Sequence, residues 1–298
     1  MKRVIRDHFF PRTVAEALDL KRQFRDLALF VAGGTDVFVR VAHEDSPAEV
    51  LVDLTSIELL SSLEEVVEGQ LNLGACLTAD RISMSPLIRE AAPSLSAAAG
   101  CLGSPAIRNQ ATIGGNLINA SPAGDMIPPL IAFGARAYVE SPHGPRSLLV
   151  EDLLTGVNQT ALEPEEMLIR VSMPAVKERE GATYLKLGLR EALTISVASV
   201  AVWLRRGRDG ALVENARIAM GSVAPRVIRA RQAESALVGR PFTQEGMNAA
   251  AEAAASECRP ISDLRASADY RRSMVYELVR ICLDAAWTGS DKRERGNG

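Results

Sequence analysis

Two glycine pairs constrain this chain more than any other feature: Ala32-Gly33-Gly34-Thr35-Asp36 and Thr112-Ile113-Gly114-Gly115-Asn116. Without a Cβ, glycine lets backbone N–H groups approach an anion closely and permits positive φ, so consecutive amides can converge on phosphate oxygens. Thr35, Thr112 and Asn116 add side-chain donors beside them. Neither pair is followed by Gly-Lys-Ser/Thr, and neither fits Gly-x-Gly-x-x-Gly, so the common nucleotide motifs are absent. Taken singly, each pair reads as an ordinary tight turn. Taken together, they point to a dinucleotide cofactor held from two sides.

The rest of the composition narrows the partner classes. A chain of 298 residues with 47% hydrophobic and 24% charged residues has enough apolar material for two modest domains or one large one. Its net charge of −3, with no basic cluster carrying interleaved aromatics, gives no reason to expect nucleic acid or an anionic membrane as partner. The start, Met1-Lys2-Arg3-Val4-Ile5-Arg6, is charged and leads into no apolar h-region, and no segment is apolar enough to span a bilayer, so a cytoplasmic location is expected. Cys76, Cys101, Cys258 and Cys282 are scattered without a Cys-x-x-Cys pair, which argues against zinc or an internal iron–sulfur cluster and for reduced core residues. His8, His43 and His143 sit in polar or Pro/Gly surroundings, so surface or loop positions are expected and no metal site is assigned.

Local patterning divides the chain into segments. Thr13-Val14-Ala15-Glu16 has capping-box spacing ahead of a helix to about Arg25, and Leu27 to Ala32 reads as a strand running into the first glycine pair. Val37, Val39 and Val41 alternate as in a strand, although a short helix also fits, and Val50 to Leu54 reads as a buried strand. Gln70 to Ala75 alternates as a strand, Thr78 can cap a helix, and Pro86 and Pro93 each suit a first helical position. Pro128 and Pro129 predict an irregular stretch from Asp125 to Leu130. Pro174 to Gly181, where Pro, Gly and charges cluster, gives the strongest domain-boundary signal. Beyond it, 182–187, 197–204 and 212–220 read as strands, with Arg208-Asp209-Gly210 as a hairpin turn. Two helices follow, at 243–258 and 267–287, the second with an expected core stripe of Tyr270, Met274, Leu278, Ile281 and Ala285; the tail from Gly289 is polar.

The extended wording around the glycine pairs resembles the FAD-binding subunit of the xanthine dehydrogenase and carbon monoxide dehydrogenase family of molybdenum hydroxylases. Phe30 to Val37 is similar to its first pyrophosphate loop, and Ile107 to Asn116, continuing through Ala120-Ser121-Pro122-Ala123-Gly124-Asp125, to its second. The likeness continues through Lys186-Leu187-Gly188-Leu189-Arg190, Ile195-Ser196, Gly221 to Pro225 and Tyr270-Arg271-Arg272, and so covers essentially the whole chain. One departure stands out: Gly156-Val157-Asn158-Gln159-Thr160 replaces the family's Gly-Pro-Gly, basic residue and Thr.

The resemblance implies an α+β fold: a two-part FAD-binding domain of the PCMH type over 1–175, with subdomains of about 1–55 and 56–175. A smaller C-terminal domain with an antiparallel sheet and helices would cover 176–290, and a polar tail 291–298. It implies that Val31, Ala32, Gly33, Gly34, Thr35, Asp36 and Val37 cradle the pyrophosphate together with Thr112, Gly114, Gly115 and Asn116. Ile113 would offer an aliphatic surface to the flavin. Asp125 would be an acidic cofactor contact, Leu102 and Leu168 apolar ones, and Lys186 a basic one from the C-terminal segment. Read from their own surroundings, Leu102 and Leu168 also suit a core, Asp125 a turn and Lys186 a solvated strand. Non-covalent FAD is expected, since no His or Cys lies in either glycine pair, and a β-branched residue at Gly114 or Gly115 is expected to remove FAD while sparing the fold.

No catalytic dyad or triad is assigned to the protein itself. Molybdopterin and [2Fe-2S] clusters would reside on partner subunits, and the flavin would pass electrons to NAD or another acceptor. A self-contained flavin oxidase or reductase, and a non-catalytic nucleotide-binding assembly module, are the alternatives.

Overall fold

The structure, a computed structural model, describes residues 5–43, 48–62, 64–190, 193–208 and 210–295. Three hydrophobic clusters organise it. The first surrounds a three-stranded parallel sheet in which Val50–Asp53 lies between Asp7–Phe9 and Ala28–Val31. Thr13 caps the helix Val14–Phe24 by accepting a hydrogen bond from the Glu16 N–H, and Ala17 and Leu18 of that helix pack on Ala28, Val50 and Val52. The alternation at 37–41 resolves as the short helix Val37–His43.

The second cluster fills the space between a five-stranded antiparallel sheet and a group of short helices. Met167–Pro174 is central, pairing with Gln70–Gly74 on one side and Arg136–Glu140 on the other. Successive side chains of a strand point to opposite faces, and here Met167 enters the first cluster while Leu168 enters the second. One strand thus ties the two parts together. Ser85 and Ser104 cap helices that carry Pro at the first turn, as does the helix Pro93–Gly100. The expectation of an irregular 125–130 is corrected: Ile127–Phe133 is a helix with Pro128 and Pro129 in its first turn. Proline is harmless there because first-turn N–H groups have no intrahelical acceptor to lose.

The third cluster lies between a four-stranded antiparallel sheet, ordered Glu180–Leu187, Ala198–Arg206, Val213–Gly221 and Ile228–Arg229, and the helices Arg231–Leu237, Gln244–Glu257 and Ala268–Arg295. Both faces of this sheet are covered. Val200, Val202 and Leu204 face the helices, whereas Ala201 and Trp203 belong to the second cluster. A Cβ on Gly181 would lie 1.8 Å from the Ala286 carbonyl oxygen, so the last helix rests on this strand's backbone. Its core stripe is Val275, Val279, Cys282, Leu283 and Ala286; Tyr270 and Ile281 are about half exposed (47% and 53%), which corrects the expected stripe. Both faces carry apolar residues at helical spacing, and the sheet determines which is covered. The helix also runs on to Arg295, into the expected tail. Asp209 of the expected hairpin turn lies outside the described residues.

Among the described residues no helix is long and apolar enough to cross a membrane. Cys76, Cys258 and Cys282 are buried, but Cys101 is exposed. His8 lies on the strand Asp7–Phe9 beside Asp53 and His143 is exposed in a turn; the side chain of His43 lies outside the described residues. Among the described residues, no cluster of three or more His, Cys, Asp or Glu could hold a metal ion.

Candidate cofactor site

The first glycine pair joins the end of the strand Ala28–Val31 to the helix Val37–His43. Gly34 has φ +69°, the left-handed region that glycine enters without strain, and a Cβ there would strike the Phe38 ring at 2.3 Å. Gly33 serves a different purpose: a Cβ would sit 1.7 Å from the Gln110 carbonyl oxygen, so this loop lies on the backbone leading into the second pair. The chain turns back on itself through Phe38 N–H to the Gly34 carbonyl and Arg40 N–H to the Asp36 carbonyl. The N–H groups of Gly33, Gly34, Thr35, Asp36 and Val37, however, have no acceptor among the described residues. Backbone donors normally find partners. A run of free ones facing a cavity fits an anion.

The second pair is not a turn. Thr112 caps the helix Ile113–Asn119, accepting from the Gly115 N–H at 3.0 Å, and both glycines lie in its first turn without positive φ. Its amides are already in use: Ile113 N–H donates to the Leu77 carbonyl, Gly114 N–H to Ala75 and Asn116 N–H to Thr112. The expectation that this pair offers backbone amides to phosphate is therefore corrected, because capping and docking on the 75–77 backbone take them first. What remains are the Thr112 hydroxyl proton and the Asn116 amide donors, the Asn116 Oδ1 accepting from Met126 N–H.

Between the two lies a cavity of about 640 Å³, within the range of roughly 300–1,000 Å³ usual for cofactor sites. Its wall includes Val31 to Val37, Leu102, Thr112, Gly114, Gly115, Asn116, Asp125 and Leu168. Two expected residues are not on it. Ile113 is fully buried (0% exposed) in the second cluster, which corrects its expected contact with the flavin. Lys186 is also off the wall and meets it through Asp125.

Sequence reasoning missed Cys76, Asn119, Met167, Leu193 and Thr194, all on the wall, and gave no cofactor role to Phe30, Ile107 and Ile195, which lie there too within the stretches of family likeness. Helical reading of 113–119 would have found Asn119, one turn beyond Asn116 on the same face. Its Nδ2 donates to Asp36 Oδ1 at 3.1 Å and bridges the two glycine segments. The departing segment 156–160 forms a tight hairpin, with Asn158 at φ +53° and its N–H on the Ala120 carbonyl, away from the wall.

The buried acid of the wall is Asp125, only 6% exposed. Lys186 Nζ donates to its Oδ2 at 2.7 Å and to the Cys101 carbonyl at 3.1 Å, and the Tyr184 hydroxyl donates to its Oδ1 at 3.0 Å. Burial raises the Asp125 pKa above the ordinary carboxylate value, with the Lys186 charge and the two hydrogen bonds acting against it. Burial also pushes the Tyr184 phenol well above its usual 10. Cys76, by the same cause, is pushed up to about 12 and stays a thiol.

Free amides for phosphate, polar side chains for sugars and hydroxyls, and aliphatic walls for a flat ring suit a flavin dinucleotide. Residues 5–176 match the family described as the FAD binding domain in molybdopterin dehydrogenase, and residues 183–286 match the CO dehydrogenase flavoprotein C-terminal domain. The chain is 33% identical over 282 residues to the carbon monoxide dehydrogenase medium chain of Hydrogenophaga pseudoflava, covering 94% of this chain and 96% of that one. It is 28% identical to the xanthine dehydrogenase FAD-binding subunit of Escherichia coli O157:H7, covering 92% and 93%.

Among solved structures, it matches carbon monoxide dehydrogenase from Hydrogenophaga pseudoflava lacking the Mo-pyranopterin moiety, with a TM-score of 0.90 and 33% identity over 95% of this chain and 97% of that one. The chain belongs to the family of FAD-binding medium subunits of the molybdenum hydroxylases. It is the flavoprotein component of an oxidoreductase, and its cofactor is FAD.

Proposed function

We propose that this subunit holds FAD non-covalently in the cavity and carries electrons from [2Fe-2S] clusters on one partner to NAD or another acceptor, with molybdopterin on a further subunit. FAD supplies the redox chemistry when bound, and the chain's work is to bind, orient and exclude water. The free amides of Gly33 to Val37 carry this reading, since they are the donors a pyrophosphate needs. Thr112, Asn116 and Asn119 would complete the polar contacts, while Leu102 and Leu168 would give the ring an apolar slot. Gly115 would let the helix end come close to the cofactor, while the missing side chain of Gly114 makes room for the Ala75 carbonyl. Ala32 would contribute through its backbone. Lys186 would act through Asp125 and keep that acid ionised beside the cofactor. Cys76 reaches the same wall, but a thiol held protonated is a poor nucleophile and makes no flavin link. In this reading, 1–175 forms the FAD-binding domain and 176–290 the C-terminal one.

Purified protein should be yellow, and acid precipitation should release all of the colour. Colour kept in the pellet, or failure to bind added FAD, would contradict the reading. The lone chain should reduce an artificial dye with NADH yet leave purines and aldehydes untouched until coexpressed with iron–sulfur and molybdopterin chains. Substrate oxidation by the lone chain would favour a self-contained flavoenzyme.

A further inference from the structure

Tyr184 and Lys186 stand two residues apart on the strand Glu180–Leu187, and so point to the same face. Both end on Asp125, each on its own oxygen, at 3.0 and 2.7 Å. Tyr184 is 5% exposed and packs within the second cluster, although its strand belongs to the C-terminal sheet. Ser199 of the neighbouring strand, which pairs with Lys186, acts against burial on the phenol and lowers its pKa. A buried phenol requires such partners. Tyr184 therefore joins the C-terminal sheet directly to a carboxylate on the cavity wall.

We propose that Tyr184 is a positioning residue of the cofactor site, fixing the Asp125 carboxylate so that its remaining lone pairs face the cavity as hydrogen-bond acceptors. An ionised carboxylate has about four acceptor directions, and the strand occupies one on each oxygen. Two donors from one rigid strand set the carboxylate plane; one donor leaves it free to turn about the Lys186 contact. The groups facing Asp125 are Lys186 and Tyr184 from the strand and the Cys101 thiol just after the helix Pro93–Gly100, with the Arg108 guanidinium, bonded to the Leu102 and Gly103 carbonyls, acting on Cys101 in turn. Loss of the phenol donor adds to what burial already does and shifts Asp125 toward its protonated form, which accepts less well. This proposal rests on the reading that the cavity takes FAD.

The test is titration of FAD into the full-length apo-protein, comparing wild type, Tyr184→Phe, Asp125→Asn and the double variant. Tyr184→Phe should fold normally by circular dichroism and bind FAD about tenfold more weakly, the loss expected for a hydrogen bond to a charged group. Its affinity should also begin to fall at a higher pH than that of wild type as the pH is lowered, because losing the donor raises the Asp125 pKa further. In the Asp125→Asn background, Tyr184→Phe should change affinity by less than about twofold, because both act through the same carboxylate. Wild-type affinity and a wild-type pH profile in Tyr184→Phe, or additive losses in the double variant, would overturn the proposal while leaving FAD binding intact. A wild-type chain that binds no FAD would overturn both readings.

Discussion

The two glycine pairs share a cavity and nearly a wording, yet they do different physical work. In each, one glycine lies against backbone elsewhere in the chain: Gly33 on the Gln110 carbonyl and Gly114 on that of Ala75. Those positions serve the fold. The other members diverge. Gly34 takes positive φ and opens a loop whose amides are unpartnered among the described residues, whereas Gly115 sits in a capped helical turn whose amides are all bonded. A missing Cβ therefore does not mark a phosphate contact by itself; the fate of the neighbouring N–H groups does. The first segment can offer an anion its backbone, and the second only side chains.

Substitution at the packed members should give the largest effect. Valine at Gly33 or Gly114 would place Cβ 1.7 or 2.6 Å from a carbonyl oxygen, closer than any real contact and with backbone as the opposing partner. Overpacking in a core costs about 1–3 kcal/mol and more where neither side can move. Thermal unfolding should fall by about 10 °C or more, or soluble protein should be lost. This reverses the expectation that Gly114 could be changed with the fold spared. A Gly114→Val protein melting like wild type would erase the distinction drawn between the paired glycines.

Gly115→Val comes next. A Cβ there meets only Thr112 Oγ1, at 3.0 Å, and Gly115 lines the cavity. The unfolding midpoint of the apo-protein should stay within about 3 °C of wild type, while FAD affinity falls by about tenfold or more, since β-branched bulk occupies cofactor space. Fluorescence titration with FAD separates the outcomes: unchanged affinity would mean that the second pair serves the fold alone.

The contrast also explains what could be read in the sequence. Caps at Thr13 and Thr78, the first-turn prolines Pro86 and Pro93 and most of the strands follow from local patterning that the structure repeats. The glycine pair with Thr35 stood out from local features, the full run Val31 to Val37 came from the family resemblance, and the structure lines the cavity with all of it. Three things were not legible. Whether Thr112-Ile113-Gly114-Gly115 is a loop or a helix start depends on the backbone of 75–77, far away in sequence, which takes the amides. The stripe of the last helix was shifted because two adjacent faces are apolar and only the sheet distinguishes them. Tyr184 gave no signal, since a tyrosine in an alternating strand reads as core until its hydroxyl is seen on Asp125.

The smallest expected effect belongs to the bond that joins the two segments. Asn119 Nδ2 donates to Asp36 Oδ1 at 3.1 Å, between residues far apart in sequence and exposed enough for water to compete. Bonds of this kind contribute about 0.5–1.5 kcal/mol net. Asn119→Ala should therefore leave the unfolding midpoint within about 2 °C and weaken FAD by about threefold, through looser placement of the first segment's amides rather than loss of any of them. Asp36→Asn should do less, because its amide oxygen can still accept the same bond. If the Asn119→Ala loss instead matches that of Gly115→Val, the Asn119 amide is a principal cofactor contact, and the second segment takes a larger share of the anion than its spent backbone implies. If neither variant moves the affinity, the two segments are held in register by the Gly33 contact with Gln110 alone.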